Sequence, residues 1–312
     1  MTLYVAGSLA FDRIMTFPGK FEEHILPEKL HILNVCFLID NLEQKRGGTG
    51  GNIAYSLAML GEKPVIVATA GRDFGEYETV LTELGLPLYG IHTAHDQITA
   101  GAYITTDLSS NQITGFYPAA MNVPSTYDFA DAKAGEDIAI IGPTNFDDMR
   151  RLPGLFRQKG IRYVFDPGQQ IPLFSGEELL EAITGSSVLI SNDYEMEMIC
   201  SAARKTRDEL RALTGALIVT LGEEGSIVYE PGGQTRIDIA PAAKVVDPTG
   251  CGDSYRSGLL KGMAAGLPMP ECARLGAACA SFCVESAGPQ GHTFTREEFA
   301  SRYEKTFGPM PL

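Results

Sequence analysis

Residues 247–253, Asp-Pro-Thr-Gly-Cys-Gly-Asp, combine small residues with a carboxylate in a way that suits chemistry on a phosphate. A helical pattern follows them, so Gly250, Cys251 and Gly252 are expected at a helix N-terminus. Backbone N–H groups at such an end lack intrahelical acceptors and carry partial positive charge, which favours an anion, typically a phosphate. Asp253, beside these donors, is suited to accept a proton from a hydroxyl group that attacks the phosphate.

The same segment also permits an ordinary turn in which Asp253 merely caps the helix. A second glycine-rich segment, residues 47–51, favours the chemical alternative. It opens another helix and precedes Asn52, but no Gly-Lys-Ser or Gly-Lys-Thr follows, so it is not a P-loop. The segment also lacks the dinucleotide-binding pattern Gly-x-Gly-x-x-Gly.

Together the two segments resemble the signature motifs of the ribokinase or PfkB family of small-molecule kinases. The first motif runs from residue 47 to 71 and the second from 247 to 258, in the order that the family shows. Cys251 is a departure, since the family usually has Ala, Gly or Ser there, but it is small and keeps its amide. Residues 7–12 and 115–121 are most similar to nucleoside kinases of the adenosine-kinase type.

The resemblance implies an ATP-dependent kinase that phosphorylates the 5′-hydroxyl of a ribonucleoside such as adenosine. Asp253 would be the catalytic base, and the amides of residues 250–252 would form an anion hole for the transferred phosphoryl group. Asp12, expected just beyond the first strand, would hold the sugar hydroxyls. The substrate-binding residues implied by the family are Asp12, Gly48, Asn52, Phe116 and Met121.

The nucleotide is expected in the C-terminal half, where the family implies Asn192, Thr220, Gly222, Gly225 and Asp247 as nucleotide-binding residues. Asn192 and Glu195 would support Mg²⁺ through water, although Asn-x-x-Glu is also the pattern of a helix capping box. ATP and Mg²⁺ are therefore the expected cofactors, and residues 286–292 suggest a monovalent cation such as K⁺. A plain turn is favoured for Asp166 over a position facing the phosphates.

From residue 137 onward, strands and helices alternate regularly, which predicts a doubly wound, mostly parallel α/β sheet. A single domain over residues 1–312 is expected, because no linker interrupts the chain. Segments at about 13–46 and 96–122 break the alternation and are expected to form a small, discontinuous β-sheet lid that excludes water. Within them the sequence predicts strands at 34–40, 99–106 and 112–117.

Composition excludes several classes of protein. A net charge of −14 argues against a nucleic-acid polymer as ligand, and the apolar runs are too short for a membrane span. The six cysteines show no zinc-binding spacing, which predicts reduced thiols in a cytoplasmic protein. The expected partners are a nucleoside and ATP, and the chain is expected to be a monomer or a homodimer.

Two other functions stay open. A sugar or sugar-phosphate kinase of the same family would need basic residues near Asp12, and the candidates are Arg13, Lys20, Lys45 and Arg46. A catalytically silent nucleoside-binding protein would be expected to lack Asp253 or the glycines before it, and both are present.

Overall fold

The computed structural model describes residues 1–312, in two β-sheets and nine α-helices. The strands are β1 (Leu3–Ala6), β2 (Ala10–Thr16), β3 (Asn41–Gly47), β4 (Val65–Gly71), β5 (Ile91–Ala94), β6 (Ala100–Thr106), β7 (Gln112–Tyr117), β8 (Ile138–Ile141), β9 (Arg162–Phe165), β10 (Val188–Asn192), β11 (Ala216–Thr220), β12 (Ser226–Glu230) and β13 (Gly233–Ile237). The helices are α1 (Thr49–Met59), α2 (Gly75–Glu83), α3 (Phe146–Lys159), α4 (Gly176–Ile183), α5 (Asp193–Ala203), α6 (Arg207–Arg211), α7 (Cys251–Ala264), α8 (Met269–Cys283) and α9 (Arg296–Phe307).

The large sheet has nine strands in the order β13-β12-β11-β10-β9-β8-β1-β4-β5, and only β12 and β13 run antiparallel to their neighbours. Its two faces are covered by different helices. Within β1, Tyr4 and Ala6 join a core with α3, α4 and α5, whereas Leu3 and Val5 join a core with α1, α7 and α8. The predicted doubly wound, mostly parallel α/β fold is thereby confirmed, because helices cover both faces of a sheet whose other strand pairs are parallel.

The small sheet has four strands in the order β3-β2-β6-β7. Its β6 and β7 confirm the predicted hairpin, but the strand predicted at residues 34–40 is wrong, since no strand forms there. Phe37 of that segment instead joins an aromatic cluster with Phe17 and Phe21, whereas Leu38 is exposed. Asp12 was expected just beyond the first strand, but it lies within a second strand, β2 of this small sheet.

The sequence missed four strands, and three of them lie at sheet edges; the fourth, β2, lies between β3 and β6. β5 and β13 form the two ends of the large sheet, and β3 is an edge of the small one. An edge strand is not enclosed on both sides, so it need not carry the continuous apolar run that marks a central strand. No helix of the structure combines the length and the apolar character needed to cross a bilayer.

Helices α7 and α8 approach each other to backbone contact, which sets the position of the N-terminus of α7. A Cβ added at Gly258 would lie 2.3 Å from the carbonyl oxygen of Leu275, and one added at Gly276 would lie 2.7 Å from that of Tyr255. Both distances are shorter than van der Waals contact. The glycines therefore permit a crossing that any larger residue would widen.

Replacing Gly258 by Ala is expected to lower the free energy of unfolding by about 1–3 kcal/mol, because the added methyl group overpacks the crossing. Urea denaturation of the two proteins measures this difference. Gly154→Ala in α3 is the matched control, since its Cβ would meet only Arg157 Nη2, at 3.9 Å. There the gain in helix propensity should raise stability by about 0.5–1 kcal/mol. Equal effects at the two positions would contradict the tight crossing.

Candidate active site

The N-terminus of α7 presents backbone donors to a cleft. Gly250 precedes the helix with a φ of 81°, a left-handed conformation that favours glycine. The Cys251 amide donates to the carbonyl of Pro248 over 3.1 Å, whereas the amides of Gly250 and Gly252 make no hydrogen bond within the chain. Of the three amides predicted to bind an anion, two are thus unengaged in this structure.

Asp253 lies in the first turn of α7 and does not cap it, because the capping position belongs to Gly250. Its Oδ2 accepts a hydrogen bond from Asn52 Nδ2 over 2.8 Å. Burial raises the pKa of Asp253 to about 7, an effect opposed by the Asn52 hydrogen bond and by Arg256. Asp253 is therefore held near the point where it exchanges a proton at neutral pH.

A buried ion pair lies beside this carboxylate. Arg256 bonds both carboxylate oxygens of Asp166, with 2.8 Å between Nη2 and Oδ1, and it also donates to the carbonyl of Gly252. The side chains of Arg256 and Asp166 are only 8% and 2% exposed. The plain turn favoured for Asp166 is therefore wrong, since its carboxylate is buried at the cleft. Arg256 follows Asp253 by three residues, a helical spacing from which it could have been found.

The cleft has a volume of about 360 Å³, and no large hydrophobic side chain lines it. Of the residues expected to bind the nucleotide or metal, Asn192, Glu195, Thr220 and Gly222 line it. Thr49, Pro143 and Gln169 line it as well and were not anticipated. A larger cavity of about 500 Å³ near the chain ends has a mainly apolar lining and lies away from these groups.

Gly225 and Asp247 do not line the cleft. An added Cβ at Gly225 would lie 2.1 Å from the carbonyl oxygen of Ile237, so packing alone requires a glycine there. Asp247 accepts hydrogen bonds of 2.9 Å from the amides of Thr249 and Gly288. Although burial opposes ionisation, these bonds outweigh it and hold the pKa of Asp247 below its usual value. It joins the loop before α7 to the loop after α8.

Asn192 and Glu195 form a capping box at the start of α5, with hydrogen bonds of 2.7 and 2.9 Å. Burial raises the pKa of Glu195, and Asp166 adds to the effect while Arg256 opposes it. The oxygen donors fit Mg²⁺ chemically, but no group of three or more His, Cys, Asp or Glu residues is placed to hold a metal. A magnesium ion here would take most of its ligands from phosphate and water.

The residues predicted to bind the substrate lie on and beside the small sheet. Asp12 pairs with Lys45 on one side and Ala102 on the other, and Ala102 pairs with Phe116. Directly paired residues face the same side of a sheet, so Asp12 and Phe116 share a face. Burial raises the pKa of Asp12; Lys45 opposes this effect, and Asp247 near α7 adds to it. Met121 packs against Ala10 and Ala100, which lie on the same face two residues before Asp12 and Ala102.

The N-terminus of α1 resembles that of α7 in sequence but not in chemistry. The amides of Gly50 and Gly51 both donate to the carbonyl of Ser8, and the Thr49 amide donates to the Ser8 hydroxyl. Gly48, just before the helix, is equally close, since an added Cβ would lie 2.6 Å from the Ser8 carbonyl oxygen. These amides are therefore occupied, whereas α7 leaves the amides of Gly250 and Gly252 free for an anion.

Comparison with known proteins shows the family to which the chain belongs. Residues 24–295 match the model of the pfkB family carbohydrate kinases. A nucleoside kinase of Methanocaldococcus jannaschii is 32% identical over 287 residues, which cover 89% of this chain and 92% of that protein. The chain belongs to the PfkB family. It is therefore an enzyme that transfers a phosphoryl group to a hydroxyl acceptor.

Solved structures of this family share the fold. The nucleoside kinase of Burkholderia thailandensis in complex with inosine has a TM-score of 0.89 and 37% identity, and covers 100% of this chain and 99% of its own. The same enzyme in complex with ADP-inosine has a TM-score of 0.86 and 38% identity, with coverage of 100% and 97%. These matches extend over the whole chain, so the large and small sheets seen here belong to a fold that the family shares.

Proposed function

We propose that this PfkB enzyme is an ATP-dependent nucleoside kinase that phosphorylates the 5′-hydroxyl of a ribonucleoside such as adenosine. The observation that carries the proposal is the hydrogen bond between Asn52 and Asp253, 2.8 Å long, which joins the starts of α1 and α7. It brings the glycine-rich segment beside the small sheet next to the proposed base. The nucleoside kinases of Methanocaldococcus jannaschii and Burkholderia thailandensis support the choice of substrate class.

In the proposed reaction the nucleoside 5′-oxygen attacks the γ-phosphorus of ATP, and the bond from that phosphorus to the ADP oxygen breaks. Asp253 takes the proton of the attacking hydroxyl. The free amides of Gly250 and Gly252, with that of Cys251 if its bond to Pro248 opens, stabilise charge on the transferring phosphoryl group. Asn192 and Glu195 would hold the waters of a bound Mg²⁺, and that ion would neutralise charge on the phosphates.

The sugar lies, in this proposal, on the face of the small sheet that carries Asp12 and Phe116. The carboxylate of Asp12 accepts hydrogen bonds from the ribose hydroxyls, and Gly48 and Asn52 help to orient the ribose. Phe116, which is 49% exposed, covers the nucleobase with its ring. The segments near 13–46 and 96–122 act as the lid. ATP binds across Asn192 and the turn that begins with Thr220 and Gly222. The loop at residues 286–292 would hold a monovalent cation such as K⁺.

A sugar-phosphate kinase is the competing function, and the charges of the small sheet disfavour it. Three of its four candidate phosphate ligands already face carboxylates: Arg13 lies 3.6 Å from Asp73, and Lys20 and Lys45 lie 3.6 and 3.5 Å from glutamates. A substrate phosphate would have to compete with these carboxylates, although the two lysine pairs are largely exposed and therefore weak. An uncharged nucleoside requires no such exchange.

The deciding experiment measures ADP release with adenosine, inosine, guanosine, cytidine, ribose and fructose 6-phosphate as acceptors. Turnover with at least one nucleoside, with kcat/KM well above that for ribose and fructose 6-phosphate, is the expected result. A preference for either sugar would establish the competing function. Binding of nucleosides without any ADP release would show a silent nucleoside-binding protein.

The pH dependence of the reaction should report Asp253. The base must be ionised to accept a proton, and its pKa is raised to about 7, so activity is lost as the pH falls through that value. The logarithm of kcat/KM is expected to fall by about one per pH unit below pH 7. A profile measured from pH 5 to 9 tests this, and a profile that stays flat down to pH 5.5 would contradict the assignment.

A further inference from the structure

Gln290, in the loop between α8 and α9, is a buried amide with no role in the reaction as described so far. Its side chain is 8% exposed. Its Nε2 donates to Asn52 Oδ1 over 3.0 Å and to the Tyr77 hydroxyl over 2.6 Å. Asn52 in turn donates to Asp253. Asn52 is therefore the single residue that links Gln290 to the proposed base, Asp253.

The direction of every bond in this network follows from one backbone carbonyl. The Tyr77 hydroxyl lies 2.9 Å from the carbonyl oxygen of Gly47, at the end of β3. Because a carbonyl only accepts, Tyr77 donates its single hydrogen there and can only accept from Gln290. The nitrogen of Gln290 must then face Tyr77, and its second hydrogen faces Asn52. Asn52 has to present its oxygen to Gln290, which turns its nitrogen towards Asp253.

We propose that Gln290 is a positioning residue that acts through Asn52 to keep Asp253 a hydrogen-bond acceptor, ready to take the proton of the substrate hydroxyl. This inference rests on the proposed function, because it requires Asp253 to be the base. If the Asn52 amide were reversed, its oxygen would face the carboxylate, and Asp253 could bond to it only when protonated. The network thus selects the ionised form that catalysis uses.

Two features show that the network is built at the expense of stability. The Oε1 of Gln290 is buried and has no partner, so the amide commits both hydrogens to the network and leaves its oxygen unpaired. Room for the Tyr77 hydroxyl depends on Gly51, where an added Cβ would lie 1.8 Å from that oxygen.

The remaining groups around Asp253 do not by themselves favour its ionised form. Arg256, on the same helix, favours the charged carboxylate, whereas Asp166 beyond β9 and Cys283 on α8 oppose it, in addition to burial. The Asn52 hydrogen bond is the contribution from α1, and it favours ionisation. Without the fixed Asn52, only Arg256 and the N-terminus of α7 would offset burial and the neighbouring negative charges.

The test compares Gln290→Met with wild type. Methionine keeps the length and volume of the side chain but donates no hydrogen bond. We expect kcat to fall by about 10–100-fold and KM for ATP to stay unchanged. The fall of kcat/KM at acidic pH, here called the acid limb, should move to higher pH by about one unit. Tyr55→Phe is the matched control, since it removes a 2.7 Å bond to the carbonyl of His292 in the same loop and leaves the network intact. Its acid limb should coincide with that of wild type.

Tyr77→Phe provides an independent variant should Gln290→Met not fold. It removes the hydroxyl that fixes the orientation of the Gln290 amide. The acid limb should then also move to higher pH, but by less than in Gln290→Met. If neither variant moves the acid limb while Asp253→Asn is inactive, the positioning role is overturned and the kinase mechanism stands. A uniform loss of kcat without a pH shift likewise overturns it. Full activity of Asp253→Asn would instead remove the proposed base, and the inference with it.

Discussion

Asp253→Asn is expected to lower kcat by about 10²–10⁴-fold while ATP binding is retained. Asparagine has the shape of aspartate, and its oxygen can still accept the hydrogen bond from Asn52 that is 2.8 Å long in the structure. What it loses is the ability to take a proton from the attacking hydroxyl. Steady-state ADP release measures the loss of turnover, and calorimetric titration with ATP checks that the nucleotide site is intact.

The same variant should be more stable than wild type at alkaline pH. The folded-state pKa of Asp253 is raised from the ordinary 3.8 to about 7, so the folded state holds its proton more tightly than the unfolded chain. Folding is therefore disfavoured increasingly as the pH rises from about 4 to 7, and the neutral amide escapes this penalty. We expect Asn to raise the free energy of unfolding by about 1–3 kcal/mol at pH 8 and by less at pH 5.

Asp147→Asn is the control for both measurements, because Asp147 is exposed in the first turn of α3. It should leave kcat unchanged and alter stability by less than about 1 kcal/mol through the helix dipole. Near-normal turnover of Asp253→Asn would show that another group accepts the proton. A loss of ATP binding in that variant would instead assign Asp253 to the nucleotide site.

The parts of the site that are local in sequence could be predicted, since the start of α7 is encoded by consecutive residues. Gly250 to Asp253 need only a helix after a tight turn, and the structure provides it. The central strands were predictable for a related reason, because burial on both faces makes each an unbroken apolar run. Edge strand β3 has no such run, as its residues are mostly polar and exposed.

Contacts between side chains that are distant in the sequence could not be predicted from it. Asp166 was taken for a turn residue because nothing near it indicates Arg256, which lies 90 residues away. Gln290 gave no signal either, since a single glutamine in a loop has no period or motif. Its partner Asn52 is 238 residues distant, and only the packing of α1 against the loop after α8 brings the two amides together.

Arg256→Met is expected to lower the free energy of unfolding by about 3–5 kcal/mol, because it leaves the buried carboxylate of Asp166 without its cation. Both side chains are under a tenth exposed, at 8% and 2%, so water entering by the cleft that they line compensates only part of the lost interaction. Guanidinium chloride denaturation measures the change. The variant should also raise the pKa of Asp253, because Arg256 favours its ionised form, and its acid limb should move to higher pH.

Arg150→Met separates burial from the mere loss of an ion pair. Arg150 lies 2.8 Å from Glu178 and also joins two helices, but its side chain is 49% exposed. Water and salt screen such a pair, so its loss should cost less than about 1 kcal/mol. The double variant Asp166→Leu/Arg256→Met removes both buried charges and should recover most of the stability, because no uncompensated ion remains. Equal costs for the two arginines, or no recovery in the double variant, would mean that the pair beside Asp253 is hydrated and not sealed in the interior.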